Sequence, residues 1–323
     1  MPAAGNLRPM LTIDGSYGEG GGQVLRTCLS LAAISGQAFR LTQIRAGRDK
    51  PGLAAQHLTC VRAAVMACSA RVEGDGLGSR ELTFRPGAPR AGEYLLDVAD
   101  VRPSAGSVNL ILQTVLPILM RCDGPSRVVL RGGTHVPWSP TFEYVASVFL
   151  PALARFGVRA AVELNRAGFY PRGGGEEVLG VEPSPRLTEA DFTRVPGAAA
   201  CQLLSRTTRL PAHVGARQMS AMRAALAGRV AVSAETTDEM PGPAPGTTVI
   251  VTAEQGWAGC SALGAKGKPA EQVGREAAEA FLRLLASGAL VDAHLADQLL
   301  LYAALAEGTT RLAVEAITEH TRT

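Results

Sequence analysis

The chain has 323 residues, 46% of them hydrophobic and 19% charged, with a formal net charge of +3. That balance excludes a disordered chain, and no long Lys/Arg run offers a sleeve for duplex nucleic acid, so any nucleic-acid contact is expected to be local. The length exceeds what one hydrophobic core usually serves, which predicts one large domain plus a smaller one.

Residues 10–13 read as a short apolar strand running into the bend Asp14-Gly15-Ser16-Tyr17-Gly18-Glu19-Gly20-Gly21-Gly22. A helix leaves this bend through Val24, Leu25, Cys28, Leu29 and Ala32. Consecutive glycines let the backbone turn freely and let a ligand approach it, and a helix start favours an anion. The same pattern also makes a tight strand-to-helix turn with no ligand. Glu19 and Arg26 add one charge of each sign. Gly36 predicts a helix stop, 39–44 a strand, and Arg45 to Gly52 a basic turn-rich segment. A second helix follows with Leu58, Val61, Val65 and Cys68 at helical spacing, Gln56 and His57 near its start, and strands are expected at 71–73 and 81–84.

That plan of strand, loop, helix, strand, loop, helix, then strands repeats. Ser104-Ala105-Gly106-Ser107 opens a helix, 127–130 is a strand, and Gly132-Gly133-Thr134 leads past Pro140 into a helix with Phe142, Val145, Phe149 and Leu153. Residues 158–164 alternate as a half-exposed strand should, and Phe169 to Gly175 with a further strand end this unit. A third helix-opening is expected at Asp292 to Gln298, followed by a strand at 311–314, and the chain stops at Thr323 where a second helix would begin. The span 185–287 departs from the plan and reads as an inserted α/β domain, leaving 1–184 and 288–323 as the core.

Asn109 and Gln113 share one face of an apolar helix, where they either bond to neighbouring backbone or line a site. The positive charge is almost all arginine, with lysine only at 50, 266 and 268; arginine suits phosphate recognition, though base composition gives the same bias. His57, His135 and His213 read as ordinary hydrogen-bonded or surface residues, His294 opens a helix, and His320 by position is a tail residue. Six cysteines (28, 60, 68, 122, 201, 260) form no C-x-x-C pair and read as reduced core residues. No signal-peptide pattern opens the chain, and the apolar run 108–120 is too short and too interrupted to span a bilayer, so a cytoplasmic protein without membrane contact is expected.

The segments Gly18 to Arg26, Ile44-Arg45-Ala46-Gly47-Arg48, Pro51-Gly52-Leu53, Gln56-His57-Leu58, Ser104 to Ser107, Leu112 to Pro117, Gly132-Gly133-Thr134, Gly168 to Gly175 and Leu295 to Leu299 resemble, in order, the RNA 3′-terminal phosphate cyclase family. The resemblance implies an α+β fold of three repeated units, each a four-stranded sheet with two helices as in enolpyruvyl transferases, plus the small insert. It implies ATP-dependent cyclisation of an RNA 3′-phosphate end through a histidine adenylate, with Thr318-Glu319-His320-Thr321 matching the motif of the nucleophile. The nucleotide pocket is then expected at Gln113, Pro140, His294, Leu295, Ala296, Asp297 and Gln298, and RNA or phosphate contacts at Arg26, Arg45, Arg48, Gln56 and His57. Glu19 is the expected donor to a magnesium or manganese ion. His294 stands where many members carry tyrosine. No obligate protein partner is expected. A branch of the family binds RNA without catalysis and lacks the histidine, and an enolpyruvyl-type transferase would form no covalent adenylate.

Overall fold

The structure is a computed structural model that describes residues 9–193, 200–254 and 257–323. Its first sheet follows from alternation: in β2 below, Phe39 and Leu41 are buried while Arg40 is exposed. The elements are β1 (Leu11–Asp14), α1 (Gly22–Ser35), β2 (Phe39–Thr42), α2 (Ala55–Cys68), β3 (Arg71–Glu73) and β4 (Leu82–Arg85). They form a sheet in the order β1-β2-β4-β3, with β1 parallel to β2 and the other pairs antiparallel. Helix α1 stops at Gly36, whose left-handed φ of 71° lets its N–H close on the Ala32 carbonyl.

The second sheet has the same plan. It comprises β5 (Glu93–Asp97), α3 (Val108–Leu119), β6 (Ser126–Gly132), α4 (Phe142–Tyr144), α5 (Leu150–Ala154), β7 (Arg159–Arg166) and β8 (Gly175–Glu182), in the order β5-β6-β8-β7. A π turn, Val145–Phe149, joins α4 to α5. The strand β5 had no counterpart in the sequence reading, because Glu93 to Asp97 does not alternate cleanly. Helix α3 is buried almost all round, which is why its pattern is apolar rather than amphipathic.

Within the span 185–287, two stretches behave differently. The short strands β9 (Leu187–Thr188) and β10 (Asp191–Phe192) pair in parallel with strands from the end of the chain. The remainder builds its own sheet from β11 (Ala200–Thr208), α6 (Ala212–Leu226), β12 (Ala231–Glu239), β13 (Gly246–Ala253), β14 (Gly259–Leu263) and α7 (Ala270–Ala286), ordered β12-β11-β13-β14. Its separate core is made by Leu203, Met222, Val251 and Phe281 among others.

The chain then returns through α8 (Ala293–Leu305), β15 (Ala306–Glu307), β16 (Arg311–Leu312) and α9 (Glu319–Arg322). Among the described residues, α8 is accompanied by two two-stranded ladders, β9 with β15 and β10 with β16, rather than by a third four-stranded sheet of the same plan. Leu295, Leu299 and Tyr302 of α8 enter the main core beside Leu29, Leu112, Leu116 and Phe149. Among the described residues no helix is long and apolar enough to cross a membrane.

Candidate active site

The bend before α1, the start of α8 and the short α9 converge. Gly18 and Gly20 adopt φ of 62° and 56°, which L side chains rarely do. Gly22 is required for a different reason: a Cβ there would stand 2.3 Å from His57 Nε2 and 2.9 Å from Arg26 Nη1. Helix α1 starts at Gly21 with no side-chain cap and no acidic residue in its first turn. Its first N–H groups and its positive dipole end therefore suit an anion.

Arginines gather at that end. Arg26 is half-buried one turn into α1, and burial pushes its guanidinium below its ordinary value. Arg45 donates to the carbonyls of Lys50 and Gly52 at 3.0 and 2.8 Å, fixing the basic loop. Arg48 is exposed, and its Nη2 lies 3.6 Å from Glu19 Oε2. His57, behind them on α2, is pushed down to about 3 by burial and then by the charges of Arg45, Arg26 and Arg48. It is neutral at pH 7, and its buried Nδ1 has no partner.

His320 reaches this cluster because α9 turns the chain back. Thr318 caps that turn, its hydroxyl accepting from the Thr321 N–H at 3.1 Å. His320 Nε2 then lies 2.9 Å from Glu19 Oε2, and Nδ1 lies 3.4 Å from Asp297 Oδ2. The hydrogen bond to Asp297 raises the imidazole above its ordinary value; partial burial opposes this, and the Asp297 and Glu19 charges add to the rise. Gln23 ties the pieces together, donating to His320 O at 3.0 Å and to Asp297 Oδ2 at 3.3 Å.

Asp297 and Gln298 are placed by the start of α8. Asp292 accepts from the N–H groups of His294 and Leu295 at 2.8 and 3.0 Å, and its other oxygen accepts from Tyr144 at 2.6 Å. Gln113 donates to Gln298 Oε1 at 2.7 Å, and Gln298 donates to the His294 carbonyl at 2.7 Å. A cavity of ≈ 70 Å³ opens here, lined by Gln23, Arg26, Gln113, Asp297, Gln298 and Tyr302 with their neighbours. A larger groove of ≈ 590 Å³ lies between α6 and α7, lined by Arg217, Arg275, Glu271 and Glu279 with their neighbours; it contains none of the residues around His320.

Thus Glu19, Arg26, Arg48, His57, Gln113, Asp297, Gln298 and His320 fall into one neighbourhood, with Arg45 behind its loop. Gln56 accepts from the Ser107 N–H at 2.8 Å, and the Pro140 carbonyl accepts from Asn109 at 3.0 Å, so both flank the start of α3. His294 is exposed at the start of α8, whereas the side chains of Leu295 and Ala296 belong to the core. Sequence reasoning passed over Gln23, Tyr144 and Asp292 as site residues. Gln23 follows the glycines directly and Asp292 stands at a helix start, but only the fold brings Tyr144 to Asp292. Among the described residues, no group of three or more His, Cys, Asp and Glu residues could hold a metal ion by itself.

A family model described as RNA 3′-terminal phosphate cyclase matches residues 17–323. Curated relatives carrying that same description include one from Methylococcus capsulatus, 50% identical over 97% of this chain and 89% of its own length. One from Pyrobaculum neutrophilum is 44% identical over 96% of this chain and 90% of its length. One from Trichormus variabilis is 46% identical over 97% and 92%.

Proposed function

The chain belongs to the RNA 3′-terminal phosphate cyclase family, and we propose that it uses ATP to convert an RNA 3′-phosphate into a 2′,3′-cyclic phosphate through a covalent His320–AMP intermediate. One observation carries this reading. His320 sits between Glu19 and Asp297, beside an uncapped helix start and the arginine cluster. A nucleophile, a carboxylate that orients it and an anion-holding surface are the parts that nucleotidyl transfer to a side chain needs.

In this reading the imidazole attacks in its neutral form. Asp297 keeps the remaining proton at Nδ1, and once Glu19 moves off Nε2 the lone pair there is the nucleophile. The N–P bond to the α-phosphorus forms as the P–O bond to pyrophosphate breaks. An oxygen of the RNA 3′-phosphate next displaces His320 from the adenylyl phosphorus, forming a P–O–P anhydride and freeing the imidazole. The 2′-hydroxyl then loses its proton and attacks the RNA 3′-phosphorus, AMP departs with the bridging oxygen, and the ring closes. Arg26, Arg48 and the first N–H groups of α1 hold phosphate oxygens, while Gln113, Pro140, His294 and the 295–298 stretch border the nucleotide. Arg45, Gln56 and His57 support the RNA end. A divalent ion, magnesium or manganese, would neutralise triphosphate charge when bound. The donor set fits one carried mainly on phosphates, since such ions take one or two carboxylates and Glu19 supplies one.

The test is incubation with α-labelled ATP and magnesium or manganese, followed by denaturation. Acid-labile, alkali-stable label on the protein, absent from His320→Ala, is expected, together with cyclisation of 3′-phosphorylated RNA. Label absent from the wild-type protein would overturn the reading and leave RNA binding without catalysis.

A further inference from the structure

Trp138 and Tyr170 stand in solvent on loops that adjoin this site, and the reaction as proposed gives neither a task. Trp138 is 100% exposed and Tyr170 is 66% exposed. Trp and Tyr combine a large apolar ring with a polar tip, which suits them to contacts with a ligand at the surface. Trp138 also adopts a φ of 62°, a left-handed conformation that is strained for a non-glycine residue, and such strain clusters at ligand clamps.

The two loops run together. Tyr170 N donates to the His135 carbonyl at 3.3 Å, three residues before Trp138, and the His135 ring stacks on Phe169 with centroids 4.6 Å apart. Positive charge follows Tyr170 in the same loop at Arg172, and Arg209 shares its acceptor. Arg172 and Arg209 both donate to the carbonyl of Pro243, at 2.8 and 3.2 Å, and have no ion-pair partner among the described residues. The patch is continuous with the site. A Cβ on Gly173 would lie 2.9 Å from Ala105 Cα, and one on Gly106 would lie 3.0 Å from Gln56 Cβ. On the other side Pro140, two residues after Trp138, is bonded through its carbonyl to Asn109, one turn before Gln113. The loop 104–107 thus touches the loop of Tyr170 on one side and Gln56 on the other.

We propose that Trp138 and Tyr170 form a stacking platform for the last bases of single-stranded RNA, with Arg172 and Arg209 tracking its backbone toward the arginine cluster. Exposed rings beside unpaired guanidinium groups fit a single strand, whose bases present π-faces and whose phosphates are anionic. A protein partner or a second copy of the chain would call for a broader apolar surface than these two rings supply. The platform rests on the cyclase reading for the position of the RNA 3′ end.

The experiment is equilibrium binding of two probes, a 3′-phosphorylated single-stranded oligoribonucleotide and a 3′-phosphorylated dinucleotide, monitored by tryptophan fluorescence and by filter retention. Trp138→Ala and Tyr170→Ala should each weaken oligonucleotide binding roughly five- to a hundredfold, the range for one base–aromatic stack. The ratio of long- to short-probe affinity should fall, and Trp138→Phe and Tyr170→Phe should restore most of it. RNA-dependent quenching should vanish in Trp138→Ala. Oligonucleotide affinity unchanged in both alanine variants would overturn the platform, as would a change in oligomeric state in place of RNA affinity. Label from α-labelled ATP on the wild-type protein reads the cyclase assignment independently, so the two failures are distinguishable.

Discussion

Glu19 and Asp297 both favour the protonated form of His320, and Asp297 also holds the ring in the orientation that the proposed nucleophile needs. Because the hydrogen bond to Asp297 is the largest cause of the raised value, Asp297→Asn should bring the imidazole back toward its ordinary range. In metal-free protein, the His320 ring resonances should titrate at lower pH in the variant than in wild type, as read by NMR. The sign is informative. If the midpoint rises or stays, Asp297 is not the partner that sets it. Adenylation by the same variant should still fall, since an unoriented ring loses more than a more abundant neutral form gains. Gly22→Ala tests the neighbouring contact. Its methyl would stand 2.3 Å from His57 Nε2 and must displace that ring or Arg26. A misplacement of about 1 Å at a phosphate-holding group can cost about a hundredfold in rate. The labelling rate should therefore collapse while far-UV circular dichroism stays as in wild type.

Helix α8 is anchored at its start by its N-cap, Asp292. Asp292 is buried, and both its oxygens are used, one on the α8 start and one on the Tyr144 hydroxyl. Tyr144→Phe leaves that second oxygen buried with its partner removed, which costs about 1–3 kcal/mol. The urea midpoint should drop accordingly, and the adenylation rate should fall with it because α8 carries Asp297 and Gln298. At this scale the sequence was readable for a definite physical reason. Strands such as Phe39–Thr42 and helices such as Ala270–Ala286 bury one face each, and their residues alternate or recur at the matching period. The Asp292–Tyr144 bond, by contrast, joins residues far apart in the chain, and no local pattern records it. His320 was singled out only through resemblance: by position it reads as a loose end, whereas the Thr318 cap and Gln23, reaching across to the His320 carbonyl, hold it in place. The strands β9 and β10 escaped notice because two-residue strands carry no periodicity at all.

Between the main core and the sheet of β11 to β14, a polar chain runs from buried to partly exposed groups. His135 Nε2 lies 2.9 Å from Glu143 Oε2, Glu143 Oε1 lies 3.5 Å from Arg206 Nη1, and Arg206 Nε lies 3.0 Å from Asp238. Glu143 belongs to α4, whereas Arg206 belongs to β11 and Asp238 to β12, so this chain links the two cores electrostatically. Burial pushes the Glu143 carboxyl up, but the charge and hydrogen bond of His135 with the charge of Arg206 outweigh burial and hold it below the usual carboxylate range. A depressed carboxylate contributes stability that is complete above its unfolded value and is lost as pH falls through the folded value. Arg206→Met should therefore destabilise the protein by about 1–3 kcal/mol at neutral pH and move its acid-unfolding midpoint to higher pH. An unchanged midpoint would show that His135 alone holds Glu143.

Glu177 in β8 has the reverse sign. It is fully buried and neither of its oxygens is in good hydrogen-bond geometry; burial, followed by the charge of Glu143, raises its carboxyl well above the ordinary range, and the nearby Asn109 amide offsets only a lesser part of this. A raised carboxyl binds its proton more tightly when folded, so its contribution is complete below the unfolded value near 4.5 and is lost as pH rises toward the folded one. Replacing it by an amide of nearly the same shape removes the ionisable group and its repulsion with Glu143 together. Glu177→Gln should therefore be more stable than wild type in alkaline buffer, and the gap between their urea midpoints should shrink as pH is lowered toward 5. A gap that widened on acidification would mean that the carboxyl is ionised in the folded protein and that the repulsion from Glu143 has been relieved by water reaching the pair.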